Sequence, residues 1–516
     1  MKKRVLGLIL VPFLLFSALF PERFVNAEKE EHAWQDEIIY FIMIDRFNNG
    51  DTSNDFEVDR NDPKAYHGGD FKGITQKLDY IHDMGFTAIW LTPIVKNEPG
   101  GYHGYWAEDF YETEEHFGTI EDFKELVNAA HERDIKVIVD IVMNHTGYQH
   151  PWLDDPEKAD WFNPDKRILN WDNQEQVESG WIYGLPDLNQ DNPEVRDYLI
   201  DMAKWWIEET NIDGYRLDTV KHVPKWFWQE FSEEMKSVKE DFFLIGEVWH
   251  DNPAVIAAYE DTGIDSFVDF PLYNMLSRVF AAPDRPLGSL KAIWENNNTH
   301  FSNPHVLGTF IDNHDVERFT RQALKNNEHP VSRVKLALSY LYTAPGIPIV
   351  YYGTEIALDG GEDPDNRRDM NFRAEKEIVE YISMLAEIRK SKPSLTHGTF
   401  EMIFEQDGMA LIKREYEDEV TIVALNNTSG TVTAPIPLEV IGEGMQLRGY
   451  LNDELVRETN GEYLITLDRE TAEIYNISEN TGLNVPYLTA MALIYGGFVA
   501  FIFFLIRRKK KSKIDE

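Results

Sequence analysis

No cysteine occurs anywhere in the 516 residues, so an exported chain of this sequence carries no disulfide and must be held by its core or by metal. Basic residues are scarce as well. The chain has 50 Lys and Arg against 90 Asp and Glu, a net charge of −40. Ten of those basic residues and only three of the acids lie in the terminal flanks, so the body is more acidic than the total indicates. Such a field repels nucleic acid and suits neutral polymers or cations as partners, although solubility accounts for much of it. Internal repeats and low-complexity tracts are absent too.

Charge is missing altogether over residues 485–506. As a helix this stretch crosses about 30 Å of hydrocarbon. Arg507, Arg508, Lys509, Lys510, Lys511 and Lys513 follow at once, and a basic excess marks the cytoplasmic side of a span. At the other end Lys2, Lys3 and Arg4 precede an apolar run over 5–20, and Val25-Asn26-Ala27 offers small residues at a cleavage site. Residues 1–27 therefore read as a secretory signal, 485–506 as a transmembrane helix and 507–516 as a basic cytoplasmic tail, with the body facing outward.

The chain is too long for one ordinary core, since single cores stop growing at roughly 250 to 300 residues. Short β-branched and aromatic runs at 38–44, 88–91, 137–142, 214–217, 242–247, 266–270, 306–311 and 347–351 alternate with amphipathic stretches such as 120–133, 193–209 and 332–342. Eight strands alternating with helices predict an α/β fold, a (β/α)8 TIM barrel. Residues 146–189, dense in Trp, Pro, Asp and Asn without helical periodicity, read as a small domain inserted after strand 3. The barrel then comprises 28–145 and 190–392. Strand-like segments beyond it imply a C-terminal antiparallel β-sandwich over 393–478, and 479–484 reads as a linker.

Polar residues at the C-terminal ends of barrel strands mark an active site, because the site of this fold lies there. Asp140, Asn144 and His145 close the third run, Arg216 and Asp218 the fourth, Glu247 the fifth, and Asp312, Asn313, His314 and Asp315 the seventh. Any one of them could be a cap or a turn residue. Together with Leu185-Pro186-Asp187-Leu188-Asn189, the segments 140–145, 214–222, 246–249 and 310–315 resemble, in order and spacing, the five motifs of the alpha-amylase family of glycoside hydrolases. The resemblance covers roughly residues 30–475.

That resemblance implies Asp218 as nucleophile, Glu247 as general acid/base and Asp315 as transition-state stabiliser. A retaining glycosidase needs two carboxyls about 5 to 5.5 Å apart. Arg216 leaves the same face of its strand as Asp218 and would keep it ionised, whereas Glu247 must begin protonated, in a setting supplied by Trp249 and the neighbouring carboxylates. By the same resemblance His103, Tyr105, His145, His314, Asp363 and Arg367 hold the sugar at the cleavage point, and Lys221 and His222 contact the departing glucan. Asn144, Asp187 and the His222 carbonyl match the ligands of a calcium ion joining insert to barrel, all hard oxygen donors. Asn49, Asp51, Asn54, Asp55, Gly68 and Asp70 resemble a second calcium site. Trp205-Trp206 is similar to a tryptophan pair of one bacterial amylase subfamily, and core packing of a helix is its expected role.

The implied activity is retaining endo-hydrolysis of α-1,4-glucosidic bonds in starch or malto-oligosaccharides by a monomeric, membrane-anchored enzyme that binds no nucleic acid. The alternatives are cyclodextrin glucanotransferase-like or neopullulanase-like transglycosylation, and a glucan-binding protein without activity. Glucanotransferases usually carry two further domains after the sandwich, where this chain has its apolar stretch. A pure binder has no need of Asp218, Glu247 and Asp315 together.

Overall fold

Eight short, almost wholly buried runs pair side by side in a computed structural model that describes residues 33–480, 482 and 485–512. The expected leader at 1–27, linker positions 481, 483 and 484, and the last four residues of the tail lie outside the described residues. The strands are β1 (Ile39–Ile42), β2 (Ala88–Leu91), β3 (Lys136–Ile141), β4 (Gly214–Leu217), β5 (Phe243–Gly246), β6 (Ser266–Phe267), β7 (Gly308–Thr309) and β8 (Ile347–Tyr351). They form one parallel sheet in the order β6-β5-β4-β3-β2-β1-β8-β7. The ring closes at a parallel bridge between Val268 and Gly308, where the Asp269 N–H donates to the Gly308 carbonyl at 2.9 Å. Burial on both faces suits strands that face helices outside and side chains inside.

Local chemistry sets the helices between them. Thr119 and Asp122 form a reciprocal capping box at the start of Ile120–His131, satisfying amide groups that a helix end leaves open. Asn192 caps Pro193–Thr210, proline stands at its first turn, and Asn211 in the left-handed region (φ 56°) ends it. The same chemistry shortens two of the expected strands. Asp269 caps the helix Phe270–Phe280, with Pro271 in its first turn, so β6 stops at Phe267 instead of 270. Pro304–Val306 forms a 3-10 turn, and β7 begins only at Gly308.

Two features depart from the sequence expectations. A two-stranded hairpin, Val95–Asn97 with Ala107–Thr113, follows β2 and carries His103 and Tyr105 in its connection. The insert over 146–189 does contain helix, at Gln174–Ser179, along with 3-10 turns at Pro151–Asp154 and Pro156–Lys158.

Beyond the barrel lie β9 (Glu401–Gln406), β10 (Met409–Tyr416), β11 (Glu419–Asn426), β12 (Val432–Pro437), β13 (Met445–Gly449), β14 (Leu455–Thr459), β15 (Glu462–Leu467) and β16 (Thr471–Glu479). They make one antiparallel sheet in the order β9-β10-β11-β16-β13-β14-β15-β12, closed over Leu411, Ile422, Ala434, Leu447, Tyr463, Ile465 and Tyr475. Buried Arg414 donates from β10 to the carbonyls of Thr343, Thr399 and Gly398, and Arg389 donates to Tyr342 and Gly346. Thr343 and Gly346 precede β8, so the sheet is fastened to the barrel end opposite the strand C-termini. Helix Val485–Ser512 ends the described chain, and its segment Leu488–Arg507, with mean hydropathy 2.3 and none of it buried, is long and apolar enough to cross a membrane.

Candidate active site

Arg216 is the hub of the strand ends. From β4 its Nη1 contacts Asp140 Oδ1 at 2.9 Å and Asp218 Oδ1 at 2.8 Å, while its Nη2 lies 2.6 Å from Glu247 Oε1. Arg216 is 1% exposed, Asp218 6% and Glu247 5%. Thr219 turns the chain directly after Asp218, at φ 46°. A β-branched residue in that region is strained, and the strain has a use here. The Thr219 N–H donates to Glu247 Oε2 at 3.1 Å, and its hydroxyl donates to Asp218 Oδ2 at 3.0 Å.

One guanidinium thus faces three carboxyls in a dry setting, and a single positive charge cannot hold all three ionised. Burial pushes the Glu247 carboxyl up to about 8, Arg216 opposing while Asp218 and Asp315 add to it. Burial likewise pushes Asp140 up to about 7 against the pull of Arg216. Trp249, expected to help set this environment, is itself partly open to solvent. Its ring stacks on Phe270 at 4.8 Å and is 44% exposed. Asp140, singled out in the sequence as a polar strand end, has no role assigned there. It anchors Arg216, accepts the Tyr105 hydroxyl at 2.7 Å and accepts the Trp90 indole N–H at 3.3 Å; its place at the head of the 140–145 motif was the available signal.

Around this hub stand the residues expected to hold a sugar. The Tyr105 ring lies parallel to His314, with the Tyr105 hydroxyl 2.8 Å from His314 Nε2, and that nitrogen is 3.1 Å from Asp315 Oδ2. Arg367 approaches Asp315 Oδ1 at 3.4 Å and Asp363 Oδ1 at 3.0 Å, and donates from Nε to the His314 carbonyl at 2.9 Å. Burial, with Arg367 nearby, holds His103 and His314 well below the usual imidazole range, and burial lowers His145 too. All three are therefore neutral at pH 7, each with one donor and one acceptor for hydroxyls. Nε2 of His145 and Nδ1 of His314 are buried without a protein partner. On the insert side, Lys221 Nζ donates to the Trp249 carbonyl at 3.1 Å. His222 Nδ1 meets the Val177 carbonyl at 3.1 Å, with Trp171 edge-on to its ring.

The model of the alpha amylase catalytic domain matches residues 19–380, and that of the alpha-amylase C-terminal domain matches 398–475. The chain belongs to the alpha-amylase family. A solved Anoxybacillus alpha-amylase is 62% identical with a TM-score of 0.87, covering 88% of this chain and 100% of that one. A beta/alpha-amylase of Paenibacillus polymyxa is 38% identical over 459 residues, which are 86% of this chain but 38% of that relative's length. A cyclomaltodextrin glucanotransferase with a three-domain ABC distribution is 33% identical with a TM-score of 0.78, covering 86% of this chain and 99% of its own. That last likeness removes domain number as a way of telling amylase-family hydrolases from glucanotransferases.

Two oxygen-rich clusters bear on metal in this amylase-family chain. The amide edge of Asn144 lies 3.0 Å from the His222 carbonyl and 3.2 Å from Asp187 Oδ1, a convergence of hard oxygen groups at one buried point. Asp187 is fully buried, and burial pushes its carboxyl well up, while the Asn163 amide, donating at 2.8 Å, opposes this. In the second cluster the Oδ1 atoms of Asn49 and Asn54 are buried without partners. Gly68, at φ +90°, lies so close that a Cβ there would meet Asp55 Oδ1 at 2.6 Å. Asp51 and Asp70 are engaged otherwise. Asp51 pairs with Lys72 at 2.6 Å, and Asp70 accepts the N–H groups of Gly50, Asp51 and Gly73. Among the described residues no three His, Asp or Glu side chains form a metal group, so each cluster adds amide or backbone oxygens to a single carboxylate, Asp187 or Asp55.

Of the tryptophan pair, Trp206 is buried as expected and Trp205 is only half-buried. The Trp206 indole donates to the Phe110 carbonyl at 2.9 Å, and Trp205 lies against Tyr111, which joins helix Pro193–Thr210 to the hairpin that carries His103 and Tyr105.

Proposed function

We propose that the protein is a retaining alpha-amylase that cuts internal α-1,4-glucosidic bonds of starch-like glucans, with Asp218 as nucleophile, Glu247 as acid/base and Asp315 as stabiliser. The observation that carries this reading is the pair of carboxyls on the two terminal nitrogens of the Arg216 fork. Sharing one planar guanidinium keeps the two carboxyls close together, as the spacing of about 5 to 5.5 Å in a retaining pair requires. Asp218 attacks the anomeric carbon as Glu247 gives its proton to the departing glycosidic oxygen, leaving a glycosyl ester on Asp218. Glu247, now ionised, takes a proton from water, whose oxygen displaces the ester and restores both carboxyls. His103, Tyr105, His145, His314, Asp363 and Arg367 orient the sugar on the glycone side, and Lys221 and His222 meet the leaving glucan.

Calcium fits both oxygen clusters. Asn144, Asp187 and the His222 carbonyl would hold one ion, and Asn49, Asn54, Asp55 and Gly68, flanked by Asp51 and Asp70, a second. Bound at the first site, the ion would supply a rigid cross-link between insert and barrel. The reading extends to a monomer with a cleaved leader, barrel at 28–145 and 190–392, insert at 146–189, sandwich at 393–478 and an anchor at 485–506 with its tail inside the cell. Transglycosylation is the second reading, favoured by the three-domain glucanotransferase. One digestion of starch tests both. Linear products released in the α configuration, with early loss of polymer length, are expected; cyclic products favour the second reading, and β-configured products refute the retaining assignment.

A further inference from the structure

Two segments flanking the site are locked by a closed ring of alternating charge. Helix Phe319–Lys325 follows Asp315, and the loop over 359–368 follows β8 and carries Arg367. From the helix, Arg321 grips Asp359 with both arms of its fork, Nε to Oδ1 at 2.6 Å and Nη2 to Oδ2 at 2.7 Å, and reaches Asp365 Oδ2 at 3.3 Å. Arg368 completes the ring at 2.7 Å from Asp365 Oδ1 and 3.3 Å from Asp359 Oδ2. The Gly361 N–H also donates to Asp365, at 2.7 Å.

Buried hydrogen bonds hold the loop as well: the Asn366 amide donates to the His314 and Val316 carbonyls at 2.7 and 3.0 Å, Arg318 Nε to the Asn366 carbonyl at 2.9 Å, and the Tyr352 hydroxyl to the Arg368 carbonyl at 2.8 Å. Between Asp359 and Asp369 no hydrophobic side chain is buried; the buried positions are Gly360, Gly361, Asn366 and Arg367. Polar contacts therefore decide where the loop sits, and bidentate pairs fix orientation as well as distance. Its end is sensitive to that placement. Arg367 meets Asp315 at only 3.4 Å, so a shift of about 1 Å would break the contact.

We propose that the ring of Arg321, Asp359, Asp365 and Arg368 positions Arg367 against Asp315 and thereby sets how tightly the site holds the sugar at the cleavage point. Arg321 is a positioning residue, since it touches none of the reacting groups. The inference rests on the reading of Asp315 and Arg367 given above. The four side chains are 27% to 43% exposed, so salt weakens the ring, the screening length falling from about 10 Å at 0.1 M to about 3 Å at 1 M.

The test uses the full-length chain and a malto-oligosaccharide of defined length, with kcat and KM measured at low and at high salt. Arg321→Gln is expected to raise KM about fivefold at low salt, the scale of a small network of partly exposed pairs, with kcat moving less. The salt dependence of KM seen in the parent chain should flatten in the variant. Asp359→Asn, which keeps size and helix sequence, should do the same and decides the matter if Arg321→Gln does not fold. Unchanged KM and salt response in the folded variants, or a loss confined to melting temperature or to kcat, overturns the proposal. A parent chain that does not cleave the oligosaccharide at all refutes the function reading instead.

Discussion

Replacing Glu247 with glutamine removes one titratable proton and almost no volume, yet stability and turnover should move in opposite directions. In the fold, burial holds this carboxyl near about 8, whereas an unfolded chain leaves it at about 4.3. Across that interval the native state binds the additional proton, so stability is lost as pH rises from about 4 towards about 8. Glutamine does not titrate and escapes that loss. At pH 7 Glu247→Gln should therefore be more stable by on the order of 3 kcal/mol, about 3 °C in melting temperature for a chain of this size. The gap should close towards pH 4. Turnover on starch should fall by roughly 10² to 10⁴, about 3 to 5 kcal/mol of barrier, because glutamine cannot give the leaving oxygen a proton. In the parent enzyme kcat/KM should decline on the alkaline side with a midpoint near about 8, as Glu247 loses its proton. Thermal melts of both proteins from pH 4 to 8, beside starch digestions, check these outcomes. A variant less stable than the parent at pH 7, or a gap that ignores pH, refutes the electrostatic reasoning, and near-full activity refutes the role.

Removing calcium with a chelator should lower melting temperature and activity together, since a ligand that binds only the folded state stabilises it by mass action; unchanged melting in a protein that metal analysis finds free of calcium would count against both oxygen clusters. Truncation after about residue 480 should release the enzyme into the medium with its specific activity kept, because Leu488–Arg507 packs on nothing in the body; full-length chain found soluble with its tail intact would contradict the anchor.

The sequence by itself determined the periodic elements and the residues that end them. The run at 214–217 is a strand as read, and the stretch at 120–133 is a helix whose cap lies in Thr119 and Asp122. Strand alternation alone put Arg216 and Asp218 on one face, two residues apart. Where local caps compete with β-branched runs, as at Asp269 and Pro304, the boundaries slipped. The hairpin of Val95–Asn97 and Ala107–Thr113 was not legible, because its acidic second strand has an irregular burial pattern and two register shifts.

Only the tertiary structure decided which groups share a charge. Glu247 lies 31 positions from Arg216 and Asp140 lies 76, yet both meet the same guanidinium. Which carboxyl keeps its proton depends on how many others crowd that one cation and how far water is excluded. Arg321 and Asp359 lie in segments with no apolar pattern to mark them, and the tryptophan pair gave no sign of meeting Phe110 and Tyr111. Hydrophobic period and turn chemistry act between neighbours in the chain, so a single sequence displays them. Desolvation and ion pairing depend on what closure of the barrel brings together, and that is written in no one segment.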